Sequence, residues 1–243
     1  MDTQNAEYWD QWWTTRISEG GAAVFPMFPA PILSYGARRV DPNSNELLVS
    51  VMAEYGLRSV LCAGNGVSQE PRALAGLGFD VTAVDISPVA TQFAEAFQDD
   101  VPAWSGFFHG PQMRRPGGSL KFVAGDLLDI TTCPGPFDVV IERRTVQVLP
   151  DHLRGPALLA LSKRLGPVGI FLSLCLDDPF PPELGWSQHG SDGLFHASQS
   201  WFEEQGWTIW DGVPNSTLTG RVAWLVRVGS MKPTPSGKDG RKD

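Results

Sequence analysis

Between residues 59 and 176, short apolar runs closed by glycine or an acid alternate with segments of helical spacing. Ser59-Val-Leu-Cys-Ala63 ends at Gly64-Asn-Gly66, Phe79–Val84 ends at Asp85, Leu120–Ala124 ends at Gly125-Asp126, and Phe137–Glu142 ends at Arg143. Val168–Leu176 is the longest apolar run of the series. Runs of this length, apolar at consecutive positions, are strands buried on both faces. Helices are expected over 70–77, from Ser87-Pro88 to about Gln98, and over 150–165. Such alternation demands parallel strands joined by crossover helices on both faces of one sheet. Ligands of such sheets bind outside the carboxyl ends of the strands, where strand order reverses. The turns at Gly64, Asp85, Asp126 and Glu142 are therefore expected to converge.

The flanks are less regular. Residues 1–40 hold Tyr8, Trp9, Trp12, Trp13 and Phe25–Pro29 and suggest a short helix followed by a proline-punctuated loop. Asn43 or Ser44 is expected to cap a helix running to about Tyr55. Residues 99–119, rich in Gly, Pro and aromatics, are an insertion, with Trp104, Phe107 and Phe108 as candidate walls of an acceptor site. A helix near 197–205 and a hairpin of strands 207–210 and 221–228 complete a domain spanning 41–228. Residues 229–243 are expected to be disordered.

Composition narrows the function. Lys and Arg number 19 against 27 Asp and Glu, a net charge of −8, which is not the basic footprint of a nucleic-acid binder. No run of 18 apolar residues and no basic-then-apolar leader is present, so the chain is expected to be cytoplasmic, with neither a membrane nor a nucleic acid as partner. Its composition leaves its oligomeric state open. Cys62, Cys133 and Cys175 are odd in number and far apart, and form neither a disulfide framework nor a zinc site; Cys62 and Cys175 are expected to pack as small apolar residues. Asp177-Asp178 suit a helix cap or a solvated loop better than a divalent cation, which wants several converging oxygens. His189 and His196 are either exposed loop histidines or, for a hydroxyl acceptor, a base.

Gly64-Asn-Gly66 lets the backbone turn tightly and lets a ligand approach the main chain. Asp85, about 20 residues further on at the end of the next strand, is placed for a carboxylate that accepts from a ribose diol. A dinucleotide fingerprint wants a small third residue where Gln69 stands, which argues against a nicotinamide cofactor, and no Gly-Lys-Ser/Thr follows for a phosphate loop.

The ordered series Val60–Ser68, Val84-Asp-Ile-Ser87, Ala124-Gly-Asp-Leu127 and Phe137-Asp-Val-Val-Ile-Glu-Arg143 resembles the motifs of class I S-adenosylmethionine-dependent methyltransferases. Leu61-Cys62 before the glycine turn, the 99–119 insertion, Glu142-Arg143 and the aromatic Trp9-x-x-x-Trp13 segment are most similar to the thiopurine S-methyltransferase group. The resemblance covers most of residues 8–228. It implies an α/β, Rossmann-like, doubly wound seven-strand mixed sheet in a three-layer sandwich, with S-adenosylmethionine as cofactor. It implies that Gly64 and Gly66 lie against the cofactor's amino-acid end, that Asp85 accepts from the ribose hydroxyls, and that Ile86 packs on the adenine. Asp126 would meet the adenine amino group with Leu127 beside it. Arg143 would face the reaction centre as the catalytic residue, and Trp9 and Trp13 would close over the cofactor. Cys62 and Glu142 complete the cofactor-facing set; Glu142 is a base or, in preference, the partner of Arg143, and with Arg143 directed to the pocket the adjacent Arg144 would point to solvent or an ion pair. The chain departs from the commoner pattern at Cys62 and Ser68, where an acid and a glycine are frequent. The implied reaction is methyl transfer to a small, apolar or aromatic acceptor, with a thiol or other soft nucleophile favoured. A nicotinamide-dependent oxidoreductase and a non-catalytic nucleoside-binding protein of the same fold are the alternatives.

Overall fold

The computed structural model describes residues 5–19, 36–38, 46–47, 52, 55–68, 70–96, 117–176, 207–212 and 220–227. The strands are β1 (Gly36–Arg38), β2 (Glu46–Leu47), β3 (Ser59–Ala63), β4 (Asp80–Asp85), β5 (Ser119–Ala124), β6 (Phe137–Arg143), β7 (Leu165–Leu176), β8 (Trp207–Gly212) and β9 (Gly220–Arg227). The helices are α1 (Ala6–Glu19), α2 (Glu70–Gly76), α3 (Pro88–Ala96), α4 (Thr145–Val148) and α5 (Asp151–Lys163). Among the described residues no helix is long and apolar enough to cross a membrane.

One sheet takes the order β2-β1-β8-β9-β7-β6-β3-β4-β5. Strands β3 to β7 pair in parallel with their neighbours, while β9 is antiparallel to both β7 and β8. From β3 the chain steps to β4 and β5. From β6 it steps the other way, to β7. Right-handed crossovers then place α2 and α3 on one face and α5 on the other. This is the expected doubly wound mixed sheet between helical layers, with the reversal of strand order falling between β3 and β6.

Burial on both faces explains the apolar runs. Val60, Leu61, Val139, Val140, Ile170, Phe171 and Leu172 are each fully enclosed. Leu61, Ala63, Val84, Val140 and Phe171 share the α5 side with Ala157, Leu158 and Leu161. Each large side chain buried this way contributes about 1.5–3 kcal/mol. Register is set by a polar clamp where β3 begins. The Asp138 carboxylate Oδ2 accepts from Arg58 N (2.8 Å), Ser59 N (2.8 Å) and Ser59 Oγ (3.0 Å). Locking the start of β3 against β6 fixes which residues emerge together at their carboxyl ends.

Three expectations change. The sheet has nine described strands rather than seven, because β1 and β2 extend it beyond β8. Glu46–Leu47 is a strand where a helix from Asn43 or Ser44 to Tyr55 is expected, and Met52 is that segment's single described helical residue. Pairing across an edge outweighs local helical spacing here. Strand β7 starts at Leu165 rather than Val168, with a register shift opposite Phe137–Val139. Phe25–Pro29, Trp104, Phe107, Phe108, Asp177, Asp178, His189, His196, the 197–205 helix and residues 229–243 lie outside the described residues.

Candidate active site

The carboxyl ends of β3, β4 and β6 open into a cavity of about 430 Å³, a size ordinary for small-molecule and cofactor sites. Trp9, Trp13, Cys62, Gly64, Gly66, Asp85, Ile86, Asp126, Leu127 and Arg143 all line it. Residues from five separate segments thus meet because each sits where a strand ends or on the helix packed above those ends.

The glycine turn is built tightly. Gly64 has φ +61° and Gly66 φ +53°. A Cβ on Gly64 would lie 2.0 Å from Thr145 Oγ1, and one on Gly66 would lie 2.4 Å from Trp13 Cζ2. Both space and dihedral therefore require glycine. Thr145 Oγ1 donates to Ala63 O at 3.0 Å, stitching the start of α4 to the turn.

Asp85 closes the other side. Its Oδ2 accepts from Gly66 N at 2.6 Å and its Oδ1 accepts from Ser87 N at 2.9 Å. The residue is 8% exposed. Burial pushes its carboxyl from 3.8 up to about 6, with the two backbone N–H groups opposing the rise and the charge of Asp10 adding to it. Burial, with the nearby charge of Glu70, also raises the Cys62 thiol well above its ordinary value. Cys62 is thus a neutral thiol in the cavity wall.

Helix α1 covers the cavity mouth. Trp13 and Ile17 pack on Val67, Ala90 and Phe93. Trp9 and Trp12 meet edge to face at 5.8 Å, as do Trp12 and Trp13 at 4.6 Å. Asp10 docks the helix, its Oδ1 accepting from Ser87 Oγ at 2.5 Å and from Val89 N at 3.1 Å. It thereby satisfies donors at the start of α3.

The far wall is Asp126, Leu127 and Leu128. Asp126 Oδ1 accepts from Leu128 N at 2.8 Å, an aspartate turn that sets the loop's direction. Arg164, fully buried, holds this loop from behind. Its guanidinium donates to Leu127 O (2.8 Å), Asp129 O (2.7 Å), Cys133 O (2.8 Å) and Ala160 O (2.9 Å).

Three assignments are corrected. Glu142 is buried and does not line the cavity. On β6 it faces the α5 side together with Val140, and its Oε2 accepts from Thr145 N (3.0 Å) and Val146 N (3.1 Å). It shapes the turn that carries Arg144. Arg143, expected to pair with Glu142, is salt-bridged to Glu70 of α2, with Nη1 to Oε1 at 2.9 Å. Arg144, expected to point away, lines the cavity beside Arg143 because it takes φ +65°, which turns the chain back over the strand end. A left-handed non-glycine residue costs about 1–3 kcal/mol and tends to mark functional sites.

The motifs also leave Asp10, Trp12, Glu70, Thr145 and Arg164 unannounced. Trp12 is the one with a signal in the sequence, standing three residues after Trp9 on the same helical face. The others act through contacts that no local pattern encodes.

No protein-family model matches the chain, and no curated protein sequence is significantly similar to it. Solved structures are similar to it in fold. A magnesium protoporphyrin IX methyltransferase from Synechocystis, with bound S-adenosylmethionine, is 20% identical over 74% of this chain and 76% of its own, with a TM-score of 0.54. A glycopeptide N-methyltransferase is 14% identical over 73% of this chain and 92% of its own, with a TM-score of 0.52. A structure solved for the conversion of a disulfide bond into a thioacetal group during echinomycin biosynthesis is 23% identical over 91% of both chains, with a TM-score of 0.50. The strand order, the doubly wound crossovers and these likenesses agree: the chain has the Rossmann-like fold of class I S-adenosylmethionine-dependent methyltransferases.

Proposed function

We propose that the protein transfers a methyl group from S-adenosylmethionine to a small-molecule acceptor, a thiol or other soft nucleophile being favoured. The observation that carries this reading is the Asp85 carboxylate at 2.6 Å from the glycine turn, on the edge of a cavity of about 430 Å³ at the sheet's switch point. The residues fit the cofactor. The glycine turn lies on the cavity wall, where it offers backbone to a ligand, and a carboxylate at the next strand end has lone pairs left for a ribose diol. Ile86, Leu127 and Leu128 offer apolar walls to a base, and Asp126 stands at the same wall.

The bound cofactor supplies an electrophilic methyl on a sulfonium. The protein's task is orientation and exclusion of water, because an in-line displacement that neutralises charge depends mainly on positioning. Trp9, Trp12 and Trp13 shield the cavity, and Arg143 and Arg144 border the transfer end. A thiolate acceptor needs no base from the protein, in keeping with a neutral Cys62 and a Glu142 engaged by backbone N–H groups. The thiopurine methyltransferase likeness rests on Leu61-Cys62, Glu142-Arg143 and the α1 tryptophans, and sulfur as acceptor rests with it.

Calorimetric titration with S-adenosylhomocysteine tests the reading. Binding is expected for the wild type, weakened about 10- to 100-fold by Asp85→Ala, since hydrogen bonds to a charged group contribute about 1.5–3 kcal/mol. Heat with NADH and none with S-adenosylhomocysteine would overturn it. A panel of thiols, phenols and amines then identifies the acceptor.

A further inference from the structure

We infer that the partly buried Arg143–Glu70 ion pair receives the α-amino-acid end of the ligand, Glu70 taking its ammonium and Arg143 its carboxylate. The inference rests on the proposed cofactor and assigns Glu70 a role that no motif indicates.

The pair joins two elements 73 residues apart, the end of β6 and the first residue of α2. The Arg143 and Glu70 side chains are 17% and 5% exposed, and both border the cavity. Fold stability gives little reason for such a pair. Desolvating two charges offsets most of their attraction, and apolar replacements are commonly as stable. Among the charged groups of the cavity, a cation and an anion held side by side are instead complementary to a zwitterion. A guanidinium forks onto a carboxylate, and a carboxylate accepts from an ammonium while keeping another donor.

Position selects which zwitterion. In the order β6-β3-β4, the ion pair lies on the β6 side of the glycine turn and Asp85 on the β4 side. Two strand spacings separate the sides, about 10 Å. A nucleoside carrying a four-carbon amino acid on its 5′ sulfur spans that interval, with its ribose at Asp85 and its zwitterion at Arg143 and Glu70. Cys62, at the end of β3 where the class I pattern named above frequently has an acid, is a neutral thiol here. Cys62 and Glu70 line the same cavity, and the charge of Glu70 raises that thiol, so a carboxylate from α2 serves the same corner. Arg143 is thereby a binding residue, and Arg144 is the other arginine lining the cavity.

The test compares two ligands by calorimetry. S-adenosylhomocysteine carries the amino-acid end, and 5′-methylthioadenosine lacks it. Glu70→Gln and Arg143→Gln are each expected to weaken S-adenosylhomocysteine about 10- to 100-fold, the effect of losing a charge-assisted contact, and to leave 5′-methylthioadenosine within about twofold. Equal effects on the two ligands, or none on either, overturn the inference while leaving the proposed cofactor intact. Wild-type protein that binds neither ligand overturns the proposed cofactor and the inference with it. Should Glu70→Gln fail to fold, Glu70→Asp keeps the charge and withdraws the carboxylate by one methylene. The same selective loss is expected of it, and an equal loss of both ligands counts against the inference.

Discussion

Asp85 gives the protein a pH dependence with a definite sign. Burial raises its carboxyl from 3.8 to about 6. About two units at 1.36 kcal/mol each correspond to about 3 kcal/mol. The folded state holds the proton more tightly than the unfolded chain. The stabilising contribution is therefore complete below about pH 4 and is lost as the pH rises through about 6. Asp80 and Asp129 run the other way, their carboxyls held low first by hydrogen bonds from Ser119 and Thr131. A raw pH profile mixes these effects, so the measurement is a difference. Guanidinium unfolding of wild type and Asp85→Asn, at intervals from pH 4 to pH 7.5, gives two free-energy curves. Asparagine offers one oxygen to Gly66 and Ser87 in place of two, which adds an offset independent of pH. Wild type minus variant is expected to fall by about 2.4 kcal/mol across that range, since part of the full contribution develops only below pH 4. A flat difference, or one that rises with pH, refutes the account of a desolvated carboxylate. In the proposed complex ribose hydroxyls donate to the ionised form, so S-adenosylhomocysteine affinity is expected to weaken below pH 6 in the wild type.

Gly66→Ala places a Cβ 2.4 Å from Trp13 at φ +53°; a cost of about 1–2 kcal/mol and faster tryptic cleavage at Arg16 of α1 are expected, and an unchanged digestion rate counts against the packing of Trp13 on the turn. Arg164→Met removes the donors to four carbonyls and is expected to cost about 3 kcal/mol or more in chemical unfolding. Arg164→Lys should recover little of that loss, because an ammonium lacks the planar fork; a loss below about 1 kcal/mol for Met contradicts the clamp. Asp10→Ala removes the acceptor for Ser87 and Val89, about 1 kcal/mol for a lost cap. It also removes a charge that raises Asp85, so the midpoint of the pH step described above should move down.

The sheet was legible because strands buried on both faces are apolar at consecutive positions, and β3, β6 and β7 are such strands. The turns were legible because Gly64, Gly66 and Asp85 are residue types that a tight turn and a strand end demand. Convergence of those turns followed from topology alone, since right-handed crossovers leave few ways to arrange the chain. The edge was not legible. Strands of two and three residues at 36–38 and 46–47 carry no alternation long enough to distinguish them from loop or helix, and their existence depends on β8, which lies far along the chain.

The misassigned charges have a common cause. Glu142 and Arg143 are neighbours in sequence, and neighbours on a strand face opposite sides of the sheet. Pairing them from adjacency therefore ran against the pleat. The pleat sends Glu142 toward α5 and its donors toward α4, and sends Arg143 toward the layer that holds α2, where Glu70 waits. Arg164, just after α5, and Asp10, on α1, are likewise joined across the chain: three of Arg164's four carbonyls lie 31 to 37 residues away and Asp10's donors 77 to 79. Polar side chains buried at strand ends take partners from whichever element the crossover lays above them. A sequence reader who first assigns each strand residue to a face, and then asks which crossover covers that face, would look for Arg143's partner on α2 rather than beside it. Applied to β6, that rule separates the carboxylate that shapes the fold, Glu142, from the one that borders the ligand cavity, Glu70.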